Sequence, residues 1–263
     1  MIVGLDEAVG MVRDGDTVAI GGAVLSRKPI AAVAALARSG RRDLELVTFA
    51  GSVDVELLLG AGALRAVRSS YVGLGPHGPA PRFVEAVATG TVEDLEESEW
   101  MLLGRLRAAA AGMPFIVTRA AMGSALVQAR GLREVSDPYS GQRFLALPAL
   151  HPDVAIVHAW KSDPRGNIQA PWPPDHLADV DLLLARAARR VIVTVERLVE
   201  SEDVDASARD TVLYPFEVDA VVVAKNGAAP TAFPPLYGLD PPELAALTKH
   251  DPRREAAGGK AAR

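Results

Sequence analysis

The residues best suited to chemistry in this 263-residue chain are Gly21-Gly22-Ala23-Val24-Leu25-Ser26-Arg27-Lys28-Pro29. An apolar run, Thr17-Val18-Ala19-Ile20, precedes them, and an Ala-rich segment that reads as a helix follows. Strand, glycine turn, two cations and helix N-terminus in that order suit a phosphorylated or carboxylated ligand. Paired glycines let the backbone approach closely. The free N–H groups of the first helical turn, and the positive end of its dipole, point at whatever sits there. Pro29 fits a first helical position, where its missing N–H costs nothing. Gly21, Gly22, Arg27 and Lys28 are therefore candidate binding residues. The spacing is neither G-x-G-x-x-G nor G-x-x-x-x-G-K-[ST], so neither a dinucleotide nor a P-loop is implied. The alternative is an ordinary βα turn with two solvated cations.

Two further residues carry possible chemistry. Glu99 closes the acidic run Glu93-Asp94-Leu95-Glu96-Glu97-Ser98-Glu99 and opens the next helix. Such a run suits a solvated helix entrance, with Ser98 or a nearby acid as N-cap. Alternatively Glu99 points into a crevice as a general base, its carboxyl raised by Trp100, Met101 and Leu102. Arg119 directly follows the apolar run Phe115–Thr118. Strand C-termini of open α/β sheets face the ligand crevice, where an arginine can clamp a carboxylate. A structural ion pair is the alternative. His77, His151, His158, His176 and His250 are scattered without metal-binding spacing. His158, in an apolar strand, reads as a core histidine. No G-x-S-x-G elbow is present.

Around these residues, short apolar runs alternate with helical segments along the whole chain. Strands are expected at Thr17–Ile20, Leu44–Phe49, Ala66–Val72, Phe115–Thr118, Val154–Trp160, Val191–Glu196 and Val218–Ala224. Helices are expected at Pro29–Arg38, Asp54–Leu59, Pro81–Thr89, Glu99–Ala111 and about Asp181–Arg190. The alternation predicts an α/β fold, a largely parallel sheet covered on both faces. The 123–145 stretch has room for a hairpin around Asp137-Pro138-Tyr139-Ser140-Gly141, and the proline-rich 170–175 stretch fits neither helix nor central strand. One domain over 1–248 is expected, with 249–263 as a flexible tail. The formal net charge of -5, with mixed signs, disfavours nucleic acid. The chain has no cysteine, which removes thiolate catalysis and Zn–Cys sites. The N-terminus lacks signal-peptide character, and no apolar run approaches a membrane span. A cytoplasmic location is expected.

The segments, in order, resemble a known family. They are the glycine turn with Lys28-Pro29, Val67-Arg68-Ser69-Ser70-Tyr71-Val72-Gly73, then Arg105-Leu106-Arg107-Ala108-Ala109-Ala110-Ala111-Gly112-Met113-Pro114-Phe115. After these come Ala159-Trp160-Lys161-Ser162-Asp163-Pro164-Arg165-Gly166-Asn167 and Val193-Thr194-Val195-Glu196 with Val218-Asp219-Ala220. Over about residues 5–240 the chain resembles the A subunit of family I coenzyme A transferases, glutaconate type. The resemblance implies an open three-layer α/β/α fold and a heteromeric enzyme, often (AB)2. It implies acyl-CoA and a carboxylate as substrates, with no tightly bound cofactor. It implies a nucleophilic glutamate on the B subunit, usually in Ser-Glu-Asn-Gly, a motif this chain lacks. The polar residues of oxoacid-type A subunits are replaced by Thr48-Phe49-Ala50-Gly51 and Ser98-Glu99-Trp100. A branch that opens rings of steroid-derived CoA thioesters by hydrolysis shares Ser26-Arg27-Lys28-Pro29 and a glutamate at the place of Glu99, implicated there as base. A non-catalytic sensor of the same fold is the third reading.

Overall fold

A computed structural model describes residues 1–249. The first half alternates α1 (Leu5–Val9), β1 (Thr17–Ala23), α2 (Ile30–Arg38), β2 (Leu44–Gly51), α3 (Val53–Gly60), β3 (Leu64–Val72), α4 (Pro81–Thr89), β4 (Glu93–Asp94) and α5 (Glu99–Ala110). An excursion follows through β5 (Phe115–Thr118), α6 (Ala125–Ala129), β6 (Arg133–Ser136) and β7 (Arg143–Pro148). The chain then re-enters the sheet with β8 (Val154–Ser162), β9 (Ile168–Gln169), α7 (Ala178–Ala187), β10 (Val191–Leu198), α8 (Ser201–Ala206), β11 (Thr211–Leu213) and β12 (Ala220–Val223), and α9 (Pro241–Thr248) closes it.

Parallel pairing sets the order β12-β10-β8-β1-β2-β3-β4, while β9 and β11 attach antiparallel beside the end of β8. The unbroken apolar runs explain the middle of the sheet. Every residue of β2 is buried, as is every residue of β8 except Trp160. Strands covered on both faces need no polar alternation. One face packs against α1 to α4 through Val9, Val33, Leu36, Leu58 and Ala86. The other packs against α5 and α7 through Leu102, Leu106, Val180 and Leu184. The open three-layer α/β/α fold expected from the sequence is therefore present.

The excursion forms a separate antiparallel sheet, β5-β7-β6. Ile116, Leu145 and Leu147 lie on its face toward α5, and Leu145 and Leu147 are fully buried. The turn at Asp137–Gly141 joins β6 to β7, as the turn chemistry suggested. Its Asp137 carboxylate accepts from the Tyr139 and Ser140 N–H groups. The expectation that β5 belongs to the parallel sheet is corrected. A short apolar strand between helix and turn looks the same in either sheet, and only pairing separates them. The 170–175 stretch forms neither helix nor strand. The expected tail falls, apart from Lys249, outside the described residues.

Candidate active site at the carboxyl edge of the sheet

The glycine turn is built inward. Strand β1 continues through both glycines with a bulge between Ile20 and Ala23. At Gly21 a Cβ would stand 3.1 Å from Val157 and 3.3 Å from the Asp181 carboxylate. Gly22 has φ +79°, and a Cβ there would lie 2.6 Å from the Lys28 nitrogen and the Ser26 carbonyl oxygen. Only glycine meets both demands. The turn itself is Ala23–Ser26, closed by reciprocal backbone hydrogen bonds. Its Val24 N–H reaches the Ala50 carbonyl at 3.0 Å, and the Ser52 hydroxyl donates to the Val24 carbonyl.

Both cations are interior, which corrects the alternative of a turn with two solvated cations. Lys28 is fully buried, and its Nζ lies 2.8 Å from both Asp54 Oδ2 and Thr48 Oγ1. Arg27 donates from Nε to Asp181 Oδ2 at 3.1 Å, and from Nη1 to Asp175 and to the His176 carbonyl. Asp181 also accepts the Gly22 N–H at 2.7 Å. Burial raises the Asp181 carboxyl, opposed by Arg27 and that N–H. Burial acts upward on Asp175 too, but hydrogen bonds from Ser26, the His176 N–H and Arg27 hold it below the usual carboxylate range. The start of α2 is also closed, because the Ala31 N–H donates to the Gly227 carbonyl at 2.9 Å and the Arg27 N–H to Ala232. The dipole end thus meets protein. The partners Asp54, Asp175, Asp181 and Gly227 are spread over the sequence, and no local spacing announced them.

Glu99 is set differently. After β4 the chain stays beside β3, with Leu95 N–H on the Val67 carbonyl and Glu97 N–H on Ser69. It thereby climbs to the carboxyl end of the sheet before α5 begins. Glu97 anchors this climb. Its buried carboxylate lies 2.5 Å from Arg68 Nη1 and 3.1 Å from Arg105 Nε. The sequence placed Glu97 in a solvated acidic run and missed this anchor. An acid enclosed by arginines of a strand and a helix carries no local signal. Ser98 caps α5, accepting from the Met101 N–H, as expected. Glu99 follows it, exposed, and its side chain has no hydrogen bond or ion pair among the described residues.

Arg119 reaches the same edge by another route. Chain reversal at 111–114 runs β5 back along α5, with Ile116 Cγ2 3.3 Å from a Cβ position on Gly104. From Gly104 back to Glu99 is about 7.5 Å of helix. From Ile116 on to Arg119 is about 10 Å of strand. Both residues thus lie at the same end of the α5–β5 unit. Arg119 is exposed and also unpaired among the described residues. Tyr71 at the end of β3, Trp100 next to Glu99 and Val117 two residues before Arg119 are exposed large hydrophobics.

An open, largely parallel α/β/α sheet is the architecture in which ligands bind in a crevice outside the carboxyl ends of the strands. The profile of the coenzyme A transferase family matches residues 3–224, and the chain belongs to that family. It is 37% identical over 249 residues to the cholesterol ring-cleaving hydrolase IpdA subunit of Rhodococcus jostii (strain RHA1), covering 90% of this chain and 82% of the relative. It is 30% identical over 262 residues to the A subunit of glutaconate CoA-transferase from Acidaminococcus fermentans, covering 93% of this chain and 81% of that one. The crystal structure of that enzyme superposes with a TM-score of 0.88 over 98% of this chain and 86% of that chain, at 27% identity. The decarboxylase AibA/AibB superposes with a TM-score of 0.87 at 34% identity, covering 100% of this chain and 98% of its own.

Proposed function

We propose that this chain is the A subunit of a two-subunit CoA-transferase, moving CoA from an acyl-CoA to a carboxylic acid. The partner B subunit supplies the glutamate that attacks the thioester. That attack gives an acyl anhydride and free CoA thiolate. The thiolate then forms a glutamyl-CoA thioester, releasing the first carboxylate, and the acceptor carboxylate takes the CoA by the reverse steps. The observations that carry this reading are the coenzyme A transferase match over residues 3–224 and the unpaired Arg119, with exposed Val117 two residues before it. An unpaired cation beside apolar surface suits a partner that completes it. Arg119 holds a substrate carboxylate through charge-assisted hydrogen bonds. Gly21, Gly22, Arg27 and Lys28 act by shaping the turn that forms the crevice floor. CoA enters as substrate thioester, with no tightly bound cofactor, the assembly is (AB)2, and the enzyme works in the cytoplasm.

A second reading is favoured by the exposed, unpaired Glu99 and by the IpdA relative. In it the chain belongs to a CoA-thioester hydrolase, and Glu99 is the base that activates water. The two readings part on one experiment. The chain is purified with its partner subunit, and Glu99→Gln is assayed for CoA transfer and for thioester hydrolysis. Transfer that persists within about threefold supports the transferase. A loss of roughly 10²–10⁴-fold, with hydrolysis as the main wild-type reaction, supports the hydrolase.

A further inference from the structure

The 159–167 segment takes no part in the reading above, yet it brings two cations together at the carboxyl edge of the sheet. Lys161 and Arg197 are each the penultimate residue of their strand, β8 and β10, and the two are register partners. Both lie on one indole. Lys161 Nζ stands 4.4 Å from the Trp160 ring centroid and Arg197 Cζ 5.4 Å from it. Lys161 is only 7% exposed, whereas Arg197 is exposed. The pair thus presents one sunken cation and one at the rim. Strand β8 stands three strands from β3, beside which the chain climbs to Glu99. That is about 14 Å along the edge, so the pair is separate from Glu99 and Arg119.

Neither cation has a counter-charge, for neither forms an ion pair or hydrogen bond among the described residues. The acids nearest them in sequence are engaged elsewhere. Asp163 accepts from Arg165 Nε at 2.8 Å, the Asn167 N–H at 2.9 Å and the Ser201 hydroxyl at 3.0 Å. Glu196 accepts from His158, Tyr237 and the Asn226 N–H. Burial acts upward on both carboxyls, but these hydrogen bonds hold each at about 2. Both acids are therefore ionised and already committed. Water can accept a hydrogen bond from Lys161 or Arg197, but it brings no charge, and neither does the indole face that attracts them. Two like charges held side by side repel. The excess is two positive charges, at the strand ends where open α/β sheets bind ligands. A single carboxylate leaves one of them unbalanced. A phosphate monoester brings about −1.5 to −2 at pH 7, with three acceptor oxygens.

We propose that Lys161 and Arg197 bind a phosphate group, Lys161 as a point charge and Arg197 through its forked N–H groups. The site stands on these two cations and not on the acyl transfer proposed above. A free phosphate ester and the phosphates of a CoA thioester share this chemistry, and the test separates them. The protein, in the complex in which it purifies, is titrated with sodium phosphate and separately with sodium acetate at matched ionic strength, and calorimetry reads binding. Phosphate is expected to bind at a millimolar level and acetate about tenfold more weakly. Arg197→Gln changes an exposed side chain, and Lys161→Met keeps an unbranched stem over Trp160. Each is expected to weaken phosphate binding about tenfold. CoA and pantetheine, which lacks the phosphates, are then titrated into the wild type and Arg197→Gln. A loss confined to CoA makes CoA the source of the phosphate, and unchanged CoA affinity makes it a free phosphate or phosphate ester. The proposal is overturned if phosphate does not bind, if acetate binds as tightly, if phosphate binding is unchanged in a folded Arg197→Gln protein, or if pantetheine weakens as much as CoA.

Discussion

Removing Asp54 tests whether Lys28 is a structural cation or a ligand-binding one. Lys28 Nζ is enclosed, with Asp54 and Thr48 as its acceptors at 2.8 Å. Asp54 also accepts the Ser52 N–H at 2.7 Å. The variant Asp54→Ala leaves an ammonium with one neutral partner and orphans a buried N–H. Breaking a buried pair from one side costs about 3–5 kcal/mol. For a chain of this size that is a fall in melting temperature of roughly 6–20 °C, at about 2–4 °C per kcal/mol. The double variant Lys28→Met with Asp54→Leu removes both charges and should recover most of the loss, because an apolar pair of similar volume is often no worse. Scanning calorimetry of the complex, at fixed protein concentration, reads both. The reasoning is refuted if Asp54→Ala costs under about 1 kcal/mol. It is equally refuted if Lys28→Met leaves stability unchanged and instead raises KM for substrate.

Other perturbations give separate tests. Gly22→Ala meets both a positive φ and a 2.6 Å clash with backbone, and should cost about 2–4 kcal/mol in a urea melt; a neutral result would mean the turn is not held as described. Arg119→Ala removes one charge-assisted contact to a carboxylate, worth about 1.5–3 kcal/mol, so steady-state kinetics should show kcat/KM down roughly 10- to 150-fold with the melting temperature unmoved. Burial acts to raise the Glu196 carboxyl, but hydrogen bonds from His158, Tyr237 and the Asn226 N–H outweigh it and hold it at about 2. A depressed folded value means stability that is full above the ordinary value of 4.5 and lost as pH falls toward about 2. Glu196→Gln should flatten that stretch of the stability–pH profile, and an unchanged slope would contradict the assignment.

The parallel sheet was legible because each of its long strands is a run of apolar residues, such as Val154–Val157, and each main helix carries its own stop, such as Gly90. Helix α4 begins and ends where Pro81 and Gly90 predict, with Gly90 in the left-handed conformation. The short strands β4, β9 and β11 had no such signal, since pairing partners far along the chain create them. The site was legible in part. Ser98 announced the cap of α5, and Arg119 does follow a strand as read, although that strand lies in the small sheet. The burial and ion pairing of Arg27 and Lys28 were not legible because their partners, Asp54, Asp175 and Asp181, lie 26 to 154 residues away. Spacing arguments see one helix or one turn. A buried ion pair across the sheet is a property of the assembled layers.

The central claim is that this chain forms one wall of a crevice whose nucleophile belongs to its partner. Intact-mass measurement of both proteins of the purified complex, after it meets acyl-CoA and is quenched in acid, tests it directly. The account predicts a CoA adduct on the partner, linked as a thioester and released by hydroxylamine, with this chain unmodified. An adduct on this chain, or full turnover by this chain alone, would contradict it.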